Sequence, residues 1–384
     1  MALKPLHIVQ TCFSRSWGGL EIQALEMSVQ LQKRGHTVLL ACPPDSRLAG
    51  EAHRSGIETS TADIRGYVHP LLVLRLARML RRRNIDLIHC QLSKDIATMV
   101  PSMRLSGSRL PVLLSKRVGS SLNKKDLFHQ LTYSQVSRVL AISGVIHRNI
   151  LDTTPVSPDR VLTLHDAVDT ARFSPARVDR RTVRRAFGIG DDEVLVGFVG
   201  RFSPGKGHEE LIEAVDILRH DRGRFRVLIV GEASYGEEGY ERKIRQMTAS
   251  RGLDRVVTFA GFRDDMPDVM ASFDLLAFPS HAESFGVVLI EAMAMERPVV
   301  ATNCDGVLDI VVDGITGIFV HPRDAGELAA GIRTLLNDPV LRERMGKAGR
   351  RRVLEMFDQQ TQIDRLEEIY RSALAETPRT IPRP

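Results

Sequence analysis

Cysteine is scarce in this chain of 384 residues. Its four cysteines, Cys12, Cys42, Cys90 and Cys304, lie far apart, and no pair has metal-ligand spacing. A zinc module and a disulfide-stapled small domain are therefore excluded, and a reducing, cytoplasmic setting is expected. Aromatic residues make up only 5%. No base-stacking motif for nucleic acid is recognisable among them. No apolar run approaches the roughly 18 residues that span a bilayer. The opening "MALKPLHIVQTCF" has one lysine and no small-residue cleavage site, so it reads as a first strand and not as a signal peptide. Acidic residues are short in the first part alone. Residues 1–166 carry 22 Lys+Arg against 12 Asp+Glu, a net +10, while the remainder carries 31 against 35, a net −4. The basic stretches Arg75–Arg83 and Ser115–Lys125 favour an anionic partner: a membrane surface, a phosphorylated substrate or nucleic acid. A solvated helix face rich in arginine is the plainer explanation.

What the chain does contain is a regular alternation. The continuous apolar runs "LHIVQT", "TVLLAC", "IDLIHC", "PVLLSKR" and "RVLAIS" are separated by helical patterns, the first over Leu20–Arg34. After Asp169 the rhythm restarts with "VLVGFVG", "FRVLIVG", "VVTFAG", "DLLAFPS", "PVVAT" and "TGIFV". Runs without alternation mark strands covered on both faces, and intervening helices imply parallel sheets. Two such series predict two doubly wound α/β domains, with the break at the Asp-, Pro- and Arg-rich "TLHDAVDTARFSPARVDRR". The expected boundaries are 1–168 and 169–376, the latter including the terminal helices, with a disordered tail over 377–384.

Three stretches could carry chemistry. Gly18 and Gly19 sit between the first strand and the first helix, where backbone N–H groups can approach an anion, although paired glycines are more often a tight turn. "GRFSPGKGHEELIEAV" begins where a buried strand ends at Gly200. Gly200, Gly205 and Lys206 have phosphate-loop spacing, yet Gly207 stands where Ser or Thr would hold magnesium. The next strand ends in Gly231 and Glu232 without a metal-binding Asp, so a P-loop ATPase is excluded. Arg201 and Lys206 remain as two cations that can face a diphosphate without a metal. The third stretch, "ESFGVVLIE", places Glu283 in a loop and Glu291 about a turn and a half into the following helix. Acceptor-only carboxylates beside an anion-binding helix N-terminus suit the hydroxyls of a sugar and a ribose. Taken singly, Glu283 reads as a helix-capping acid and Glu291 as an exposed helical residue.

Together "GRFSPGKG" and, about 75 residues on, "ESFGVVLIE" resemble the retaining glycosyltransferases of family 4, which have the GT-B fold. "GGLE", "VDTARFSP" and "GEASYG" agree with that family in order and position, and the resemblance spans essentially the whole chain. It implies two Rossmann-like domains, the N-terminal one on the acceptor side and the C-terminal one binding a nucleotide-diphosphate sugar, with C-terminal helices packing across. By position, Arg201 and Lys206 would neutralise the diphosphate while Gly18 and Gly19 close over it. Glu283 would receive donor-sugar hydroxyls, the N–H groups of Phe285, Gly286 and Val287 would hold sugar and phosphate, and Glu291 would receive the ribose. Gly231 and Phe262, the latter in the "AGFRDD" turn beside the base, complete the implied donor set. The family's usual histidine is missing from "VLLSKRVG", which has Lys116 and Arg117 instead. Arg117 is the candidate replacement, and His89 is a second residue on the acceptor side. "TLHDAVD" replaces an Asn-Gly-Val-Asp turn, so His165 and Asp166 need be no more than linker residues.

The implied reaction moves a glycosyl group from a nucleotide sugar to an acceptor hydroxyl with retention, without a metal or other cofactor. A glycan or lipid-linked acceptor of lipopolysaccharide or envelope polysaccharide synthesis is expected, with the basic domain resting on anionic lipid. A GT-B sugar-nucleotide epimerase is the alternative, and a nucleic-acid binder the remote one.

Overall fold

The computed structural model describes residues 4–62, 69–219, 225–233 and 236–377. The chain divides into two compact units, Met1–Asp166 with Gln360–Pro384, and Ala167–Gln359. Strands of the first unit are β1 (His7–Thr11), β2 (Thr37–Cys42), β3 (Glu58–Thr61), β4 (Leu87–Cys90), β5 (Val112–Lys116), β6 (Val136–Ala141) and β7 (Val161–Thr163). They pair in parallel in the order β3-β2-β1-β4-β5-β6-β7. Each apolar run read from the sequence became a strand. The periodicity missed β3 and β7, which lie at the two sheet edges. There a short, polar "ETST" or a three-residue "VLT" suffices, because only one neighbour pairs with it.

The second unit repeats the plan with β8 (Val194–Val199), β9 (Phe225–Val230), β10 (Val257–Gly261), β11 (Leu275–Phe278), β12 (Val299–Thr302) and β13 (Gly317–Val320). Their order is β10-β9-β8-β11-β12-β13, again all parallel. In both sheets the order reverses beside the first strand, between β1 and β4 and between β8 and β11. The chain leaves these neighbours in opposite directions, which opens a crevice at their carboxyl ends. Helices cover both faces, so strands such as β11 are buried throughout and need no polar alternation.

The terminal helices part company. The helix Pro339–Met356 stays in the second unit, where Met345 and Val353 are buried and Arg350 donates to the Ala294 carbonyl. The last helix, Gln359–Glu376, packs Ile363, Leu366, Ile369 and Tyr370 into the core formed by Leu6, Ile8, Leu31 and Leu113 of the first unit. Its polar face pairs with Arg34 through Asp364, and with His36 Nε2 through Glu367 at 3.1 Å. This corrects the expected assignment of 169–376 to one domain: the apolar stripe of the last helix is needed by the first core. Entry and return run side by side, the Val168 N–H donating to Phe357 O at 2.9 Å and the Gln359 N–H to Val168 O at 3.1 Å. The tail expected beyond Thr377 lies outside the described residues, as do Ser234 and Tyr235 of "GEASYG".

Candidate active site

β8 leads through Gly200–Gly207 into the helix His208–Leu218, and β11 leads through Pro279–Gly286 into the helix Val287–Ala294. Since β8 and β11 are hydrogen-bonded neighbours, these two loops meet at the crevice. The His281 N–H donates to Gly205 O at 2.8 Å, and Lys206 Nζ lies 2.6 Å from Glu283 Oε2. Both side chains keep access to solvent, with 28% of Lys206 and 17% of Glu283 exposed. An ammonium has three donors, so Lys206 can hold Glu283 and still offer N–H groups to a phosphate oxygen.

Glycine is required where the loops cross. Gly207 has φ +84°, and a Cβ there would lie 2.2 Å from the Pro279 carbonyl oxygen. A magnesium-binding Ser or Thr cannot stand at that position, which gives the departure from the phosphate-loop pattern a steric cause. Gly286 likewise caps its helix at φ +105°. The first N–H groups of that helix, starting at Val287, have no acceptor within it. Phe285 is buried against Phe357 with ring centroids 5.8 Å apart, so any ligand role falls to its backbone.

The remaining donor candidates border the same edge of the sheet. Arg201 follows β8 and is exposed. Gly231 follows β9, its N–H bonded to Gly261 O at 2.9 Å. Phe262 follows β10 with 45% of its surface open. Glu291 is half-buried at the fifth position of its helix, on the side of Val287.

Sequence reasoning missed the strap that holds Glu283. Asp305 Oδ2 accepts the Glu283 N–H at 3.3 Å, and the Gly306 N–H donates to Glu283 O at 2.9 Å. Asp305 itself has φ +44°, and a Cβ at Gly306 would strike Ser284 O at 2.3 Å. The dipeptide Asp-Gly after β12 was the available signal, since it marks a tight turn at the carboxyl end of a strand.

In the first unit, Gly18 is extended at φ −169° and Gly19 starts the helix Gly19–Lys33. A Cβ at Gly19 would meet nothing within 4 Å, so the local turn does not require the pair. Arg117 is corrected: it is buried, pairs with Asp166 at 3.1 Å and donates to Gln91, so its charge is committed inside the unit. Asp166 is correspondingly more than a linker residue. His89 is corrected too. It is fully buried, with Nδ1 2.7 Å from the Tyr370 hydroxyl and Nε2 2.9 Å from Ser115 Oγ, and burial pushes its pKa down to about 3. Lys116 is brought down to about 8, chiefly by burial and secondarily by Lys124.

Two parallel Rossmann-like units with paired loops at a switch point define the architecture of a GT-B glycosyltransferase. The fold matches a glycosyltransferase from Rickettsia africae over 97% of this chain and 99% of that one, at TM-score 0.88 and 21% identity. HepE of Anabaena, solved with UDP and glucose, matches at TM-score 0.83 and 23% identity over 96% of this chain and 100% of its own. The family model for glycosyl transferases group 1 matches residues 179–352, and that for glycosyltransferase family 4 matches residues 17–172. The chain belongs to the group 1, family 4 glycosyltransferases. A D-inositol 3-phosphate glycosyltransferase of Geodermatophilus obscurus is 32% identical over 249 residues, 63% of this chain and 54% of its own length. The match thus spans about half of that relative. An alpha-D-kanosaminyltransferase of Streptomyces kanamyceticus is 28% identical over 88% of this chain and 94% of its own.

Proposed function

We propose that the enzyme transfers a hexosyl group, with retention, from a nucleotide-diphosphate sugar to an acceptor hydroxyl in envelope polysaccharide, lipopolysaccharide or glycolipid synthesis. The observation that carries the reading is the Lys206–Glu283 pair at the crevice of the second sheet, a cation and an acceptor side by side at a helix N-terminus. Lys206 and Arg201 stabilise charge on the departing diphosphate, aided by the N-terminus at Gly286. Glu283 accepts donor-sugar hydroxyls and Glu291 those of the ribose. The anomeric C–O bond to phosphate breaks while the acceptor oxygen bonds to the same face, and its proton passes to the released phosphate oxygen. No metal is assigned a part. HepE, solved with UDP-glucose, supports a nucleotide-sugar donor.

We further infer peripheral docking on the inner membrane face. No described helix is long and apolar enough to cross a membrane. Support comes from the segment 118–131, where Leu122, Leu127 and Leu131 are 68%, 71% and 53% exposed beside Lys124 and Lys125. The decisive experiment is a panel of UDP-, GDP- and ADP-sugars read by melting temperature and by nucleoside diphosphate release. One base class should stabilise the protein, by about 2.7 kcal/mol at a hundredfold excess over Kd. It should also release diphosphate only as sugar is transferred or hydrolysed. Epimerised sugar without release overturns transfer.

A further inference from the structure

A cavity of about 660 Å³ opens where β5, β6 and β7 begin, at the end of the first sheet opposite Lys116 and Arg117. Four arginines line it. Arg104 comes from the last turn of the helix Ser93–Ser106, Arg109 from the turn before β5, Arg138 from β6 and Arg160 from the turn before β7. They are scattered in sequence and converge only through the parallel order β5-β6-β7. A bulge helps: Val136 faces Val112, yet Arg138 faces Leu113, so one extra residue is inserted in β6 just before Arg138. Bulges of this kind re-aim a side chain.

Among the described residues one carboxylate shares the lining. Glu376, in the last turn of the final helix, is ion-paired with Arg138 and is held below the usual carboxylate range by that hydrogen bond and one from Ser372. Four positive charges and one negative leave the lining at +3, with Asp159 outside it but within reach of the Arg160 and Arg138 charges. Arg160 leans on the Ser134 and Val136 carbonyls at 3.4 Å. Arg104 and Arg109 are exposed and have no ion-pair partner among the described residues. Like charges gathered this way repel one another, and an oxyanion accepting from several guanidinium forks removes that repulsion. Hydroxyls at Ser108 and Ser137 add polar partners, and no aromatic ring among the described residues lines the cavity to stack a base. The volume suits a small phosphorylated polyol.

We propose that Arg104, Arg109, Arg138 and Arg160 form a binding site for a doubly phosphorylated sugar, whose occupancy displaces Glu376 from Arg138. Glu376 stands in for one anionic group of that ligand and tethers the end of the final helix. The site is built wholly from the first unit, whereas Lys206 and Glu283 belong to the second.

Calorimetric titration of the full chain with glucose 1,6-bisphosphate tests this. Wild type should bind one equivalent, and K206A should bind it equally well. The double variant R104A/R109A should bind at least about tenfold more weakly, the loss expected for charge-assisted hydrogen bonds. Both arginines are exposed, so circular dichroism should be unchanged. E376Q, which removes the internal competitor, should bind more tightly. No binding by wild type, loss in K206A, or full affinity in R104A/R109A overturns the site. Unaltered affinity in E376Q overturns the displacement of Glu376.

Discussion

Lys206 and Glu283 hold one another at 2.6 Å on loops whose residue numbers differ by 77. If Lys206 meets the departing diphosphate, K206A removes a charge-assisted hydrogen bond of about 1.5–3 kcal/mol. Turnover should then fall roughly ten- to hundredfold with little change in melting temperature. Near-normal turnover would take Lys206 out of the site. His208 offers a different test. It is fully buried, stacked on Phe202 with centroids 4.5 Å apart, and neither ring nitrogen finds a partner among the described residues. Burial pushes its pKa down to about 4, with Glu209 opposing and Lys206 reinforcing that shift. The unfolded histidine titrates near 6.5. Between these values the unfolded chain binds the extra proton, so His208 costs stability as pH falls through that window. The cost approaches about 1.4 kcal/mol per pH unit. H208F keeps the stacked shape without the titration. The stability gap between wild type and H208F should therefore widen from pH 6.5 to 4, and a constant gap rejects the account. Residue by residue, loop position and the family resemblance proposed Arg201, Lys206 and Glu283, and the fold brings Lys206 and Glu283 together. The sequence misled at His89 and Arg117, because their partners, Tyr370 and Asp166, lie far along the chain and are buried with them.

At the scale of elements, apolar runs identified the buried strands because parallel strands covered on both faces carry no polar alternation. That β8 lies beside β11, and hence that the two loops meet, follows from strand order and not from any local signal. The last helix was the element least open to sequence reading. Its amphipathic pattern announces a helix but not which core receives its stripe. A chain ending at Asp358 retains Arg201, Lys206, Glu283 and Glu291, yet it lacks Ile363, Leu366, Ile369 and Tyr370 from the first core. Each contributes about 1.5–3 kcal/mol on burial, which together rivals the 5–15 kcal/mol stability of a typical domain. Hydrogen exchange should find the first unit unprotected and the second still protected. Full protection of the first sheet would contradict the packing described.

For the whole molecule, the charge asymmetry and the exposed leucines point the same way. Co-sedimentation with phosphatidylglycerol vesicles at low salt should retain the protein. It should weaken as ionic strength rises and drop clearly for L127S/L131S, whose side chains are already solvent-exposed. Equal retention of that variant would leave the arginines alone responsible. The two-domain plan was legible because two series of strands restart after a polar break. The Arg104–Arg160 cluster was not, since its members gather only once the sheet has formed. The placement of the last helix also bears on how the protein is made. The first unit begins the chain yet lacks part of its core until residues 359–376 have emerged. The second unit has all of its strands translated by then. Synthesis therefore reaches the first unit before the second, while the part of the first core filled by the helix Gln359–Glu376 stays open until those residues emerge.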